Sequence, residues 1–234
     1  MEKKPAYDEI VDKLREKTWV YLILIFTTFG IVFNFAPDLI EWLEIRLLPK
    51  DATLIYISPA EYFILKMKVA SYAALSLVFI IAIVQIWHVM HSRSVLPDIG
   101  IGKIIGTLII SLILFGIGVT YSLELMLPLV LEYLQNDAAS AGLKTTYSLN
   151  AFYHFVFLLT FSLGITFQLP LIVLLMLKLE LTNTEQLAEY RSHLAVTFFI
   201  LAAMITPPDV ISQFLLAIPL MILYEVSIII GKVT

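Results

Sequence analysis

The 234-residue sequence is 60% hydrophobic and only 15% charged, and its mean hydropathy is +0.92. Soluble globular chains contain about 45–50% apolar and about 25% charged residues, so this composition predicts a polytopic membrane protein. The sequence contains no cysteine, which excludes disulfides and cysteine–metal chemistry, and its net charge of −4 is too mild to indicate a partner.

The first 18 residues predict an amphipathic helix that lies on the membrane surface ahead of the first span. Apolar residues recur at helical spacing on one face, and acidic residues occupy the other faces: Tyr7, Ile10, Val11 and Leu14, then Asp8, Glu9, Asp12 and Glu16. The acidic faces have two interpretations. They form a solvated surface with local Glu–Lys and Asp–Arg pairs, or they belong to an acidic binding rim together with Asp98.

Six apolar runs predict membrane-spanning helices, because a helix crosses ~30 Å of hydrocarbon in ~20 residues. The runs are apolar on all faces, whereas strands of a membrane barrel alternate apolar and polar residues. The predicted spans are residues 19–36, 68–88, 104–123, 151–177, 194–205 and 207–230. We therefore predict an all-α polytopic membrane protein in which residues 1–234 form a single transmembrane domain, with short fifth and sixth helices.

The basic residues predict the orientation of these spans. With six spans and the N-terminus inside, ten of the 15 lysines and arginines fall on the cytoplasmic side and five on the outer side. Cytoplasmic loops are enriched in lysine and arginine. Both termini are therefore expected in the cytoplasm.

Two longer loops are predicted on the outer side. Residues 37–48 predict an amphipathic surface helix, and Ser58, Pro59 and Glu61 have the spacing of a capping box that begins a helix. The second loop begins at Pro128 and runs to residue 148. These loops are expected to cover the outer face.

The stretch TPPD, residues 206–209, predicts a tight hairpin between the last two spans. We expect Thr206 as the N-cap, Pro207 at the first helical position and Asp209 in the first turn. Thr182 and Glu185 predict a capping box before the fifth span. The residues expected to be structural caps or partner contacts are Pro59, Glu61, Pro128, Pro207, Asp209, Tyr224 and Glu225.

Gln168 is the clearest polar residue inside a predicted span. Pro170 follows it and disrupts local backbone hydrogen bonds, so the glutamine amide either satisfies the freed backbone groups or forms a functional site that faces a groove. The sequence shows no nucleophilic triad, phosphate-binding loop or metal-ligand cluster. We therefore expect no catalytic residue, metal or cofactor.

Seven short motifs occur in order along the chain. They are KLREK, SPAEYF, VQIWHV, LFGIGVTYSLELMLP, FSLGITFQLP, ITPPDVISQFLLAIP and LYEVS. Together, on six spans, they resemble the TatC family, the polytopic receptor subunit of the twin-arginine protein translocase. The resemblance runs from about Glu9 to Lys232, and its specificity lies in the combination rather than in any one motif.

The resemblance implies a receptor rather than an enzyme. The family forms a glove-like bundle of six helices in the cytoplasmic membrane, with both termini in the cytoplasm. It binds the twin-arginine motif of signal peptides on folded cargo and assembles with single-span TatA- and TatB-type subunits into a multimeric complex. Translocation is driven by the protonmotive force. No nucleic-acid partner is expected.

Carried over residue by residue, the resemblance places the signal-peptide site on Glu9, Asp12, Leu14, Arg15 and Asp98. Leu14 and Arg15 match a Leu-Arg pair of the family, and Lys13 stands where the family has a glutamate, so that Asp12 or Glu9 would supply the acid. Asp98 stands at the second glutamate of the family and Gln168 at a third. Carboxylates accept the planar fork of arginine with two hydrogen bonds, which lysine cannot make.

Two other function classes stay open from the residues alone. A small-solute secondary transporter is the first alternative, although the sequence shows no internal repeat and no ionisable pairs within the spans; solute uptake into proteoliposomes would support it. An intramembrane enzyme is the second, although no nucleophile and base stand in plausible spacing. Turnover that a single span mutation blocks would support it.

Overall fold

A computed structural model describes residue 15 and residues 18–49, 52–91, 101–178, 180–206 and 209–233, without the side chains of residues 87–91, 101, 103, 104 and 233. Helices dominate these residues. They are α1 (Thr18–Leu47), α2 (Glu61–His91), α3 (Ile101–Tyr121), a π-helical turn (Ser122–Met126), α4 (Leu127–Ser140), α5 (Leu149–Thr166), α6 (Leu169–Lys178), α7 (Thr184–Glu189), α8 (Arg191–Ile205) and α9 (Val210–Val233). Two short strands, β1 (Thr53–Ile55) and β2 (Thr146–Ser148), complete the architecture.

Five helical stretches of the described residues are long and apolar enough to cross a membrane: Thr18–Leu47, Glu61–Ile86, Ile105–Ser140, Leu149–Lys178 and Val210–Lys232. This confirms a helical membrane protein. The predicted fifth span corresponds to α8, which is confirmed as short at 15 residues. The prediction of a short sixth helix is wrong, because α9 has 24 residues and continues through Gly231 to Val233.

The first span continues beyond its predicted end. Residues 37–48 were expected as a separate surface helix, but Pro37 lies inside the single 30-residue helix α1. The reason is burial on one face: Ala36, Ile40, Leu43 and Leu47, at helical spacing, are all at most 4% exposed. Membrane helices tolerate an internal proline when neighbouring packing holds the helix together.

The third span likewise extends into the segment expected as an outer loop. Helical structure runs from α3 through the π-helical turn into α4, and the Leu127 N–H bonds the Ser122 carbonyl across the turn. Pro128 follows directly at the start of α4 and has no N–H to donate. A wider π-turn is a common way to absorb such a missing donor without ending the helix.

The two connections predicted to lie on the outer side meet in a small parallel sheet, so the chain is not wholly α. Thr53 pairs with Thr146, Leu54 with Tyr147, and Ile55 with Ser148. Each strand has only three residues, which is too short for a recognisable alternation in the sequence. The pairing joins the chain just before α2 to the chain just before α5.

Helix α5 lies at the centre of the packing. Its buried residues include Tyr153, Val156, Leu159 and Leu163, each fully inaccessible to solvent. The Tyr153 hydroxyl donates a hydrogen bond to the Ile40 carbonyl at 2.9 Å. This bond ties α5 to the C-terminal half of α1, which the sequence predicted as a separate surface helix.

Helices α3 and α5 approach so closely that only glycine fits at their contact. A Cβ atom on Gly118 would lie 2.6 Å from the Leu163 carbonyl oxygen, and a Cβ atom on Gly164 would lie 2.6 Å from the Phe115 ring. Backbone atoms cannot move aside as a side chain can. Gly118 is therefore the tighter constraint.

We predict that Gly118→Ala lowers the thermal unfolding midpoint of the purified protein in detergent. Overpacking of this kind destabilises by about 1–3 kcal/mol, because the two helices must separate. Gly116→Ala is the matched control on the same helix, since no atom lies within 4 Å of a Cβ built there. Equal midpoints for the two variants would show that the α3–α5 contact is looser than the structure has it.

Candidate functional site

Four of the five residues expected in the signal-peptide site lie outside the described residues: Glu9, Asp12, Leu14 and Asp98. Arg15 is described and exposed, and its carbonyl accepts a hydrogen bond from the Thr18 hydroxyl at 2.8 Å. The structure thus places Arg15 just before α1. The acidic rim itself stays a prediction.

An apolar groove lies between α1, α2, α3 and α5, with a cavity volume of about 240 Å³. Its walls include Val32, Val69, Val119 and Phe157. The few hydroxyls among its lining residues are already engaged: Ser76 donates to the Tyr72 carbonyl at 2.8 Å, and Thr160 bonds Ser122 at 3.0 Å. The groove therefore offers an apolar surface, suited to an aliphatic or aromatic segment rather than to a polar solute.

Gln168 is fully buried and forms a two-bond pair with Ser111 of α3. The Ser111 hydroxyl donates to Gln168 Oε1 at 2.6 Å, and Gln168 Nε2 donates to the Ser111 carbonyl at 3.0 Å. The structure thus differs from both interpretations of Gln168: its side chain neither bonds the backbone freed by Pro170 nor lines the groove. Instead it joins α3 to the break between α5 and α6.

Glu61 connects the outer segments through four hydrogen bonds. Its Oε2 accepts the N–H groups of Ile57 at 2.9 Å and Ser58 at 3.5 Å, which is the glutamate half of the predicted capping box. The Glu61 N–H bonds the Ser58 carbonyl at 3.0 Å rather than its hydroxyl. Glu61 Oε1 accepts the Ser148 hydroxyl at 2.8 Å and the Asn150 N–H at 2.9 Å. One carboxylate therefore holds the beginning of α2 to the beginning of α5.

Neighbouring residues support the same junction. The Pro59 carbonyl accepts the Tyr56 hydroxyl at 2.9 Å, which fixes the turn before α2. Lys68 Nζ donates to Asn150 Oδ1 at 2.8 Å, one step deeper between α2 and α5. Lys68 was predicted only as a basic residue of the outer side, and no sequence pattern indicated its partner on another helix.

The hairpin between α8 and α9 is capped differently from the prediction. Thr206 ends α8, its hydroxyl donating to the Ala202 carbonyl at 2.8 Å, and is not the N-cap of α9. Asp209 takes that role: its Oδ1 accepts the Ser212 N–H at 2.7 Å, and the helix begins at Val210. Pro207 lies outside the described residues. An acidic side chain one residue before the helix satisfies a free N–H group better than Thr206, which is occupied by its own helix.

The capping box expected before the fifth span is also wrong by one residue. Asn183 is the N-cap of α7, with its side chain accepting the Gln186 N–H at 2.8 Å. The Thr182 hydroxyl instead contacts the Gln186 side chain. Both asparagine and threonine are good caps, so the sequence alone did not choose between adjacent candidates.

Tyr224 and Glu225 hold α9 to the α7–α8 elbow. The buried Tyr224 hydroxyl donates to the Leu187 carbonyl at 2.7 Å. Arg191 forms a two-point ion pair with Glu225, at 2.7 Å from Nε and 2.9 Å from Nη2. Both residues of the pair are nearly half exposed, so the pair orients the elbow more than it stabilises it.

Glu124, in the π-helical turn just before Pro128, forms an exposed ion pair with Arg46 at the end of α1. The Arg46 guanidinium also lies over the Trp42 ring, 5.3 Å from its centroid. This contact links the end of α1 to the α3–α4 junction.

The sequence indicated several of the residues that hold the fold together, but it seldom indicated the residues to which they bond. Ser111 is a polar residue in an apolar run, a signal that could have singled it out alongside Gln168. Asn150 and Arg191 carry no comparable signal, because their partners lie 82 and 34 positions away and become neighbours only in the fold.

We predict that Gln168→Leu destabilises the protein by roughly 1–3 kcal/mol, because the fully buried Ser111 hydroxyl loses its acceptor. Thermal unfolding in detergent would measure the effect. Adding Ser111→Ala should recover part of the loss, since the donor is then removed as well. Additive losses in the double variant would mean that the two side chains do not pair.

We predict that Glu61→Gln loosens the outer junction, because an amide oxygen can replace only one of the two accepting carboxylate oxygens. Hydrogen exchange should become faster at residues 57, 58 and 150 and stay unchanged in α9. Asp137→Asn, at an exposed residue of α4, is the control. Unchanged protection at all three residues would mean that the Glu61 bonds do not hold the junction.

Known proteins resemble this chain over nearly its whole length. The family profile of the Sec-independent protein translocase protein (TatC) matches residues 9–219. A TatC protein of Aquifex aeolicus is 30% identical over 233 residues, covering 96% of this chain and 93% of the relative. TatC of Listeria innocua is 28% identical, covering 95% and 89%, and TatC of Escherichia coli K12 is 26% identical, covering 98% and 88%.

Solved structures give the same result. A crystal structure of the twin arginine translocase receptor TatC superposes with a TM-score of 0.80 at 29% identity, covering 96% of this chain and 98% of the other. A second, of the receptor in DDM, gives a TM-score of 0.82 at 30% identity and covers 95% and 99%. Because the family profile extends over most of its residues, the chain belongs to the TatC family of Sec-independent protein translocase proteins.

Proposed function

We propose that this protein is a receptor for twin-arginine signal peptides and the core of a translocase that exports folded proteins across the cytoplasmic membrane with the protonmotive force. The observation that carries the proposal is the likeness, over 96% of the chain, to a solved twin arginine translocase receptor. The apolar groove supports it independently, because its lining is unsuited to a polar solute and so disfavours the small-solute transporter.

The proposed site divides recognition between charge and apolar contact. Glu9 or Asp12 and Asp98 form an acidic cytoplasmic rim for the two arginines, with Leu14 and Arg15 at its edge. Two carboxylates at a fixed separation select arginine because each can accept a bidentate pair of hydrogen bonds. The apolar segment of the signal peptide then lies along the groove between α1, α2, α3 and α5.

The proposed topology has six spans with both termini in the cytoplasm and α8 as the short fifth span. Gln213 Nε2 donates to the Phe199 carbonyl at 2.9 Å, so α8 and α9 are joined as a hairpin within the membrane. A short span beside a long one thins the bilayer locally. We infer that single-span TatA- and TatB-type subunits dock on this hairpin or on the outer segments, in a multimeric complex.

We predict that a fluorescent signal peptide with Arg-Arg binds the protein in nanodiscs at least tenfold more tightly than the same peptide with Lys-Lys. The reason is the loss of bidentate hydrogen bonds, each bond to a charged group contributing about 1.5–3 kcal/mol. Fluorescence anisotropy at two salt concentrations measures the affinities, and salt should weaken the Arg-Arg complex.

Variants of the rim make this test specific. Asp98→Ala should remove most of the Arg-Arg preference and Asp98→Glu should keep it, whereas Asp137→Ala, on the outer side, is the control. Equal binding of Arg-Arg and Lys-Lys peptides would contradict twin-arginine recognition by the isolated chain. Retained preference in Asp98→Ala would remove Asp98 from the site.

A further inference from the structure

The first span is the least buried of the five long apolar helices. Only 6% of its most apolar window is buried inside the molecule, against 17–50% for the other four. One side of α1 packs against α2, where Lys66 lies over the Phe33 ring at 4.9 Å. The opposite side meets no other described element.

Between the exposed Ile23 and Ile31, that outward side carries polar and small residues where lipid would favour apolar ones. Thr27, Gly30 and Asn34 are exposed and share one helical face, with Asp38 and Glu41 following at its outer end. Polar residues inside a membrane span normally face the protein interior. At ~1.5 Å per residue, Asn34 lies about 10 Å from the middle of the run 19–36, within a hydrocarbon half-thickness of about 15 Å.

The hydrogen-bonding capacity of Asn34 is only partly used. Its Nδ2 donates one hydrogen to the Gly30 carbonyl at 2.7 Å. An amide has a second hydrogen and an acceptor oxygen, and neither has a partner among the described residues. Around Gly30 no atom lies within 4 Å of a built Cβ, so another helix can approach closely there.

We propose that this face, defined by Thr27, Gly30, Asn34, Asp38 and Glu41, pairs with the same face of a second copy of the chain. Two copies inserted in one membrane have the same orientation, so a twofold axis along the membrane normal brings each residue level with its counterpart. Asn34 of each copy then donates its second amide hydrogen to Oδ1 of the other. Asparagine is self-complementary in this way.

The spacing of the face supports the same arrangement. Thr27, Asn34 and Glu41 recur every seven residues, the repeat of helices that wrap around each other in parallel. A single buried asparagine at such a position is known to fix the register of a parallel pair. Thr27 keeps its hydroxyl satisfied within α1, by the Ile23 carbonyl at 2.8 Å, and so can enter the interface without a loss.

The acidic end of the face gives the pairing a distinctive salt dependence. Asp38 and Glu41 of the two copies would face each other at the outer membrane boundary, where water and salt screen their repulsion. Added salt should therefore strengthen the dimer, and so should Glu41→Gln. The Arg-Arg peptide complex responds to salt in the opposite direction, so the two proposals are distinguishable, and the pairing does not depend on signal-peptide binding.

The absence of native cysteine makes a direct test possible, because one introduced cysteine can form a disulfide only between copies. We would oxidise Thr27→Cys, on the face, and Leu22→Cys, exposed but about 140° away around the helix, in proteoliposomes of the purified chain at low protein density. Thr27→Cys should give a dimer band several-fold stronger than Leu22→Cys. Adding Asn34→Leu should weaken dimerisation about three- to thirtyfold, and Asn34→Gln should retain most of it.

Three outcomes would overturn the proposal. Equal cross-linking at the two cysteines would mean that the copies meet by random collision. Unchanged dimerisation in the Asn34→Leu variant would mean that the two asparagine amides do not pair. Cross-linking to α1 only after single-span subunits are added would assign the face to them instead. Asn34→Leu changes an exposed side chain, so its monodispersity and unfolding midpoint should match those of the parent, which keeps a negative result interpretable.

Discussion

A polar group inside a membrane must find its partner within the protein, and this constraint explains where the polar residues of this fold lie. Gln168 and Ser111 satisfy each other between α3 and the α5–α6 break. Glu61 collects donors from both outer connections. These polar residues therefore join segments that are distant in sequence, and the bundle obtains from a few such links the specificity that apolar packing against lipid does not supply.

These links divide the molecule into a fixed centre and a more lightly held periphery. Helix α5 is joined to α1 through Tyr153, to α2 through Glu61 and Lys68, and to α3 through the glycine contact at Gly118. The α7–α8 elbow, by contrast, is held by one buried hydroxyl bond and one half-exposed ion pair. In the proposed receptor this division would keep the groove in shape while other subunits assemble, because the groove walls belong to the centre.

Much of the architecture follows from apolar run length alone, since the sequence predicts helical spans close to those observed. The predicted helix ends were wrong where tertiary burial extended a helix. Pro37 predicted an end to α1, but the helix continues through it because the stripe from Ala36 to Leu47 is buried. The predicted N-caps were wrong where a second good candidate lay within three residues, as at Asn183 and at Asp209. The sequence identified Gln168, Glu61, Tyr224 and Glu225 as residues to explain, yet their partners depend on contacts across the fold and could not be read from spacing. The acidic rim on Glu9, Asp12 and Asp98 comes from family resemblance and charge alone.

The identity of residue 168 limits where the bundle can respond to a proton. A carboxylic acid at this position would offer a proton site in the middle of the bundle, whereas Gln168 has no ionisable group and both ends of its amide are engaged by Ser111. The Gln168–Ser111 link therefore does not change with protonation. For the proposed receptor, any pH dependence of signal-peptide binding would then arise from ionisable groups elsewhere, the carboxylates of the proposed rim or the four histidines. On this proposal the centre of the bundle is a passive scaffold, and proton-driven movement would enter through its partners or its edges.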